Sequence, residues 1–223
     1  MGSMNKESSF KLLDAYYDAG GNFIDTANAY QDESSEEFMC EWAEKRGIRD
    51  QLVIRYQILG EFQTLIALRC VGWGYDASVE EVMNSLHGLV MAGKVLYLDA
   101  PAWVAAKANQ WARDHGKTPF SIYQGKWSIL DRTFERDIIP MARSEGLALA
   151  PWAVLSSGRF RTDEEEKRRK ESGEHGRKTA GPNWERTPTE VKVSHKLEEI
   201  AKEVGAKHIT FVAICNMPLV LNP

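Results

Sequence analysis

Apolar positions along this chain switch repeatedly between a helical spacing and short unbroken runs, and each switch marks an element. Phe10, Leu13 and Tyr17 share a helical face that stops at Gly20-Gly21, and residues 23–25 then read as a short buried strand. Ser34-Ser35-Glu36-Glu37 opens a second helix, with Phe38 and Trp42 on its buried face and Gly47 as its stop. Residues 51–56 read as a strand, and 65–71 form another apolar run that Arg69 interrupts. Ser78 with Glu81 three residues later makes a capping box. The helix it starts buries Val79, Val82, Met83, Leu86 and Val90 and ends at Gly93. Strands follow at 95–98, 120–123 and 147–152, with helices at 103–112 and 134–142 between them.

Repeated β-then-α units joined by short turns predict an α/β fold with a parallel sheet, and this many of them predict a barrel. No internal repeat of fixed period is present. Residues 164–177 break the rhythm. Their basic run Lys167-Arg168-Arg169-Lys170 is framed by Glu164-Glu165-Glu166, Glu171 and Glu174, so it reads as a solvated excursion rather than a phosphate site. Val193, Leu197, Ile200 and Val204 form a last amphipathic helix, followed by the apolar stretch 209–215 and the ending Pro218-Leu219-Val220-Leu221-Asn222-Pro223.

Composition narrows the classes. With 223 residues, 43% of them hydrophobic, the chain has the material for one soluble globular domain spanning 1–223. A net charge of −4 gives no reason to expect nucleic acid or an anionic membrane as partner. Cys40, Cys70 and Cys215 are scattered, without a C-x-x-C pair or nearby His, and frame neither a disulfide scaffold nor a metal site. A reduced, cytoplasmic setting follows from that reading. No apolar run approaches the roughly 20 residues of a membrane helix, and Met1-Gly2-Ser3-Met4-Asn5-Lys6 does not read as a signal peptide.

The candidate chemistry begins at Asp25-Thr26-Ala27-Asn28-Ala29-Tyr30. A carboxylate and a phenol leaving the C-terminal end of one strand suit a barrel active site. A phenol, with an ordinary pKa of about 10, donates a proton usefully near neutrality only with a cation beside it. A capping carboxylate at Asp25 and a loop aromatic at Tyr30 are the alternative readings.

That run resembles the first active-site motif of the aldo-keto reductases. The likeness is greatest to the fungal aryl-alcohol dehydrogenase and norsolorinic acid reductase-like branch. It is carried further by Gly93-Lys94-Val95-Leu96-Tyr97-Leu98, Pro119-Phe120-Ser121-Ile122-Tyr123-Gln124-Gly125-Lys126-Trp127, Phe134-Glu135-Arg136-Asp137-Ile138-Ile139-Pro140-Met141 and Ala150-Pro151-Trp152. The resemblance implies a TIM (β/α)8 barrel and reversible hydride transfer between NADP(H) and a small-molecule carbonyl or alcohol. It implies Tyr30 as the proton donor and Asp25 as the partner of the cation beside it. It also implies Gln124 and Asp99 at the nicotinamide carboxamide, Trp152 stacked on the nicotinamide, and Leu155-Ser156-Ser157-Gly158-Arg159 at the pyrophosphate. As alternatives, Gln124 reads as a strand-end polar group and Trp152 as a core aromatic. Ser at a Gly position in that loop is tolerable unless the backbone needs positive φ.

Several positions depart from the family pattern. Aligned without gaps, Val53-Ile54-Arg55-Tyr56-Gln57 puts Gln57 where the family has Lys, with Arg55 two residues earlier on the same face. Val71-Gly72-Trp73-Gly74-Tyr75-Asp76 holds no His where the family has one, and Gly-Val-Ser is absent between Leu98 and Asp99. With a first strand missing before Met1, a helix missing between Gln57 and Leu65, and no 2′-phosphate segment after Val220, the expectation is an incomplete barrel. Two functions stay open: an NADP(H)-linked reductase of aromatic or polyketide-like metabolites in a fungal pathway, and a remnant or mis-spliced product that at most binds nucleotide or serves as an interaction module.

Overall fold

The computed structural model describes residues 4–27, 30–31, 34–57, 65–69, 77–100, 104–173 and 185–215, with only the backbone at 55–57 and 65–69. Two compact units emerge: Met1–Gln124 with Ser144–Ala148, and Gly125–Arg143 with Leu149–Pro223.

In the first unit, α1 (Lys6–Asp18) leads into β1 (Phe23–Ala27), α2 (Ser34–Arg46), a 3-10 turn at Arg49–Gln51, β2 (Val53–Gln57) and β3 (Leu65–Arg69). Then come α3 (Val79–Met91), β4 (Val95–Ala100), α4 (Ala105–Asp114) and β5 (Ile122–Tyr123). Among the described residues six strands line up in the order β1-β2-β3-β4-β5-β6, the last being β6 (Ala148–Leu149), and no pairing joins β6 to β1. The β1 to β5 pairs are all parallel, and β6 joins where the Ala148 N–H donates to the Ser121 carbonyl at 2.9 Å.

Local chemistry explains how β1 begins. Gly20 turns the chain with φ +89°, and at Gly21 an added Cβ would collide with the Tyr16 ring. That close approach lets the Tyr16 hydroxyl donate to the Phe23 carbonyl at 2.7 Å and accept from its N–H at 3.2 Å. The strand edge is thereby hydrogen-bonded where β1 starts. Behind the strands, Leu13, Met39, Trp42, Ala43, Ile48, Leu52 and Ile54 form one buried cluster. Burying a large side chain of this kind contributes roughly 1.5–3 kcal/mol. The Trp42 indole N–H, which burial would otherwise strand, donates to Asp14 at 2.9 Å.

The second unit holds α5 (Thr133–Arg136), most of α6 (Ile138–Glu145), a 3-10 turn at Ser156–Gly158, α7 (Asp163–Ser172), α8 (Pro188–Glu203) and α9 (Ile209–Cys215). Phe160, Leu197, Ala201, Ile209, Val212 and Ala213 make its core, with Leu155 and Val193 packed against it.

Several boundaries differ from the sequence expectation, each for a physical reason. The helix expected at 134–142 is two, parted at Asp137. Pro140 has no N–H, and its ring excludes the Arg136 carbonyl that a continuous helix would bring up to it. The strand expected at 147–152 keeps two residues plus a single bridge from Trp152 to Lys126, since Pro151 cannot donate to a ladder. The excursion at 164–177 begins as α7, an all-polar helix with a complete Thr162/Glu165 capping box. Val204 is the C-cap of α8 and 63% exposed rather than part of its buried face. The 71–76 segment, the gap between Gln57 and Leu65, and the ending 216–223 lie outside the described residues.

Candidate functional site

Asp25 sits in β1, two residues before its end, on an exposed position, while Thr26 and Ala27 turn into the protein. Tyr30 follows in a turn closed by its own N–H donating to the Ala27 carbonyl at 2.9 Å, and its side chain is well exposed. The parallel register sets Arg55 level with Asp25, and Gln57 level with Ala27. On this geometry the basic residue nearest Asp25 along the sheet is at 55, not at the position the family pattern indicated.

Asp99 lies inside β4 and is fully buried, level with Arg69 on one side and Ile122 on the other. Asp99 thus belongs to the strand itself. Gln124 stands just past β5. That strand is held to α4 by Asn109, fully buried, whose side chain donates to the Phe120 carbonyl at 3.1 Å and accepts its N–H at 2.7 Å. Beside it the Tyr123 phenol is pushed up from its ordinary pKa by burial. The Gln124 amide oxygen is buried and has no hydrogen-bond partner among the described residues. Leaving such an acceptor unmet costs about 1–3 kcal/mol. A nicotinamide carboxamide, whose N–H groups are donors, fits this atom.

In the second unit Trp152 is half exposed while its backbone is fixed. Its N–H donates to the Gly125 carbonyl at 2.9 Å and its carbonyl accepts from Trp127 at 3.2 Å. Leu155 turns its side chain into the core, so it anchors the loop that follows. That loop has a left-handed backbone at three successive residues, with φ 50° at Ser156, 56° at Ser157 and 84° at Gly158. The condition that would make Ser costly at a Gly position is therefore met here, twice. The N–H groups of Ser156, Gly158, Arg159 and Phe160 donate to carbonyls within the same turn. A diphosphate at this loop would accordingly meet side chains, Arg159 above all, more than an open cradle of amides.

Two buried ionic groups support the turn. Arg161, 3% exposed, donates through Nη1 to the Gly158 carbonyl at 2.8 Å and through Nε to Glu166 at 2.5 Å. Burial raises the Glu166 pKa, but Arg161, Arg186 and Lys170 outweigh it and hold the carboxyl below its ordinary value. On the other side, Glu190 accepts from the Ser156 hydroxyl at 2.7 Å and lies 3.9 Å from Arg159. The sequence reading passed over Glu190. Its signal was present in Thr187-Pro188-Thr189-Glu190, a capping box at the start of α8.

Among the described residues no group of three or more His, Cys, Asp or Glu side chains could hold a metal ion, and no helix is long and apolar enough to cross a membrane.

Comparison with known proteins bears on the whole of this arrangement. The model of the Aldo/keto reductase family matches residues 1–67 and 68–215. The chain is 51% identical over 254 residues to the aryl-alcohol dehydrogenase [NADP(+)] of Phanerodontia chrysosporium, covering 96% of this chain and 66% of that protein. It is 46% identical to the probable aryl-alcohol dehydrogenase AAD4 of Saccharomyces cerevisiae, covering 96% of this chain and 76% of the relative. It is 43% identical to the norsolorinic acid reductase stcV of Emericella nidulans, covering 92% and 60%. The chain thus spans about two thirds of the length of such relatives. The chain belongs to the aldo/keto reductase family.

Proposed function

We propose that this chain is an NADP(H)-dependent oxidoreductase, reducing aldehydes or ketones, or oxidising the matching alcohols, of aromatic or polyketide-like metabolites in a fungal pathway. The observation that carries the reading is the buried, unmet amide oxygen of Gln124 at the end of β5, an acceptor suited to a carboxamide. The names of the relatives support the cofactor and the aromatic substrate class. When bound, the nicotinamide supplies or accepts the hydride. The chain's own residues do the rest on the (β/α)8 plan of the family, as one catalytic domain.

Tyr30 gives its hydroxyl proton to the carbonyl oxygen, a general-acid step worth about 10²–10⁴-fold. Arg55, whose backbone is level with that of Asp25 in the sheet, is the cation of this reading. Within the first unit, Gln124 is the residue assigned to the carboxamide; within the second, the exposed Trp152 is assigned to the nicotinamide ring, and the turn of Leu155, Ser156, Ser157, Gly158 and Arg159 to the diphosphate. A cytoplasmic setting suits the exposed free thiols Cys40 and Cys215.

The test is a fluorescence titration with NADPH, paired with turnover of an aromatic aldehyde. Gln124→Leu keeps the volume and removes the acceptor, so it should weaken NADPH binding about tenfold. Equal affinity in wild type and variant would refute the assignment of Gln124.

A further inference from the structure

Glu190 is 6% exposed, yet it is surrounded by donors. One carboxylate oxygen accepts from the Thr187 N–H at 2.8 Å and the Thr187 hydroxyl at 2.9 Å. The other accepts from the Ser156 hydroxyl at 2.7 Å and faces the Arg159 guanidinium at 3.9 Å. Burial pushes its pKa up, but the bonds from Thr187 and Ser156, with Arg159 behind them, more than offset this and hold it below the ordinary value. The carboxylate is therefore an anion at neutral pH, in contact with the loop to which the proposed function gives another anion.

We propose that Glu190 is a positioning residue with two separable effects on dinucleotide affinity. Its hydrogen bond holds Ser156 in the left-handed turn, which favours binding. Its charge restrains Arg159 and opposes an incoming diphosphate, which limits binding. The inference rests on the reading of residues 155–159 as the diphosphate loop.

Glutamine separates the two effects. It is the other residue that serves at the third position of a capping box, so Glu190→Gln can give its oxygen to the Thr187 N–H and its NH₂ to the Ser156 hydroxyl. The shape and both ties are kept and only the charge goes. Alanine removes ties and charge together.

The experiment is direct titration of wild type, Glu190→Gln and Glu190→Ala with NADPH, followed by tryptophan fluorescence, at low salt and at about 1 M salt, where the Debye length is about 3 Å. Glu190→Gln should bind about three- to fivefold more tightly than wild type at low salt, the scale of one partly screened ion pair. The gain should shrink at high salt, and Glu190→Ala should bind more weakly than Glu190→Gln. If wild type binds NADPH and Glu190→Gln binds no better, the charge has no such effect and the proposal falls alone. If none of the three proteins binds NADPH although all melt cooperatively, the loop reading falls and takes the proposal with it.

Discussion

Two neighbouring serines in one turn should respond to the same substitution with opposite sign. Ser157 has φ 56° and ψ 33°, the left-handed region, and its side chain is exposed. A residue with a Cβ pays about 1–2 kcal/mol to sit there. Glycine removes that strain but loses about 0.4–1 kcal/mol through the greater freedom of its unfolded chain. Ser157→Gly should therefore stabilise the protein by roughly 0.5–1 kcal/mol. Ser156 has φ 50°, so the same relief is available. Its hydroxyl, however, donates to the buried Glu190 carboxylate at 2.7 Å, and a hydrogen bond to a charged group contributes about 1.5–3 kcal/mol. Ser156→Gly should destabilise by about 1 kcal/mol on balance. For a chain of this size a change of 1 kcal/mol moves Tm by about 2–4 °C. Calorimetric melts of wild type and the two variants measure both effects. A lower Tm for Ser157→Gly, or a higher one for Ser156→Gly, would refute the account of this turn.

Tyr30→Phe should lower aromatic-aldehyde turnover at least about a hundredfold while leaving NADPH affinity unchanged, because only the hydroxyl is lost; single-turnover rates and a binding titration check this. Trp42→Ala should destabilise by about 3–5 kcal/mol, since Trp42 is 1% exposed within the buried cluster of the first unit; a urea melt measures it. Glu166 has a folded pKa below its ordinary 4.5, so the stability it contributes is complete above that value and is lost as pH falls through the depressed one. The cost of Glu166→Gln should accordingly be full at neutrality and shrink progressively as pH falls below 4.5, as read from urea melts across that range.

What the sequence made legible is what local chemistry decides. The glycine stops at 20–21, 47 and 93, the Ser78 cap and the helical faces of Leu13, Trp42 and Leu197 are written in spacing and residue type, and the elements formed there. Proline was the signal read too lightly. Pro140 parts α5 from α6 and Pro151 shortens β6, both through a missing donor. The turn at residues 155–159 was half legible. Its small residues suit a close approach of backbone to phosphate and leave the sign of φ open, because that depends on what holds the turn, and Glu190 comes from 34 residues away in sequence. Position 99 shows the same limit. The shortened segment before Asp99 was visible, but not that the strand would absorb it. Ladder hydrogen bonds claim the backbone of residues 99 and 100, and Asp99 goes into the interior with them.

Register, finally, decides how the missing family lysine should be understood. An ungapped alignment compares position 57 with that lysine and finds Gln, which reads as loss of the cation. In the sheet, position 57 is level with Ala27 and position 55 with Asp25, and neighbouring strands are about 4.8 Å apart. A basic residue at 55 therefore starts from a backbone position nearer Asp25 than one at 57 does. Arginine is always charged, so it can serve a neighbouring phenol electrostatically, but its planar fork is not a compact ammonium. The two positions can be told apart. If Arg55 supplies the charge, Arg55→Leu should lower aldehyde reduction by about 10²-fold or more, and Gln57→Lys should add little to wild type. If the charge is simply absent, Arg55→Leu should leave the rate unchanged and Gln57→Lys should raise it. Single-turnover rates of the wild type and the two variants distinguish these outcomes, and the second would overturn the assignment of Arg55.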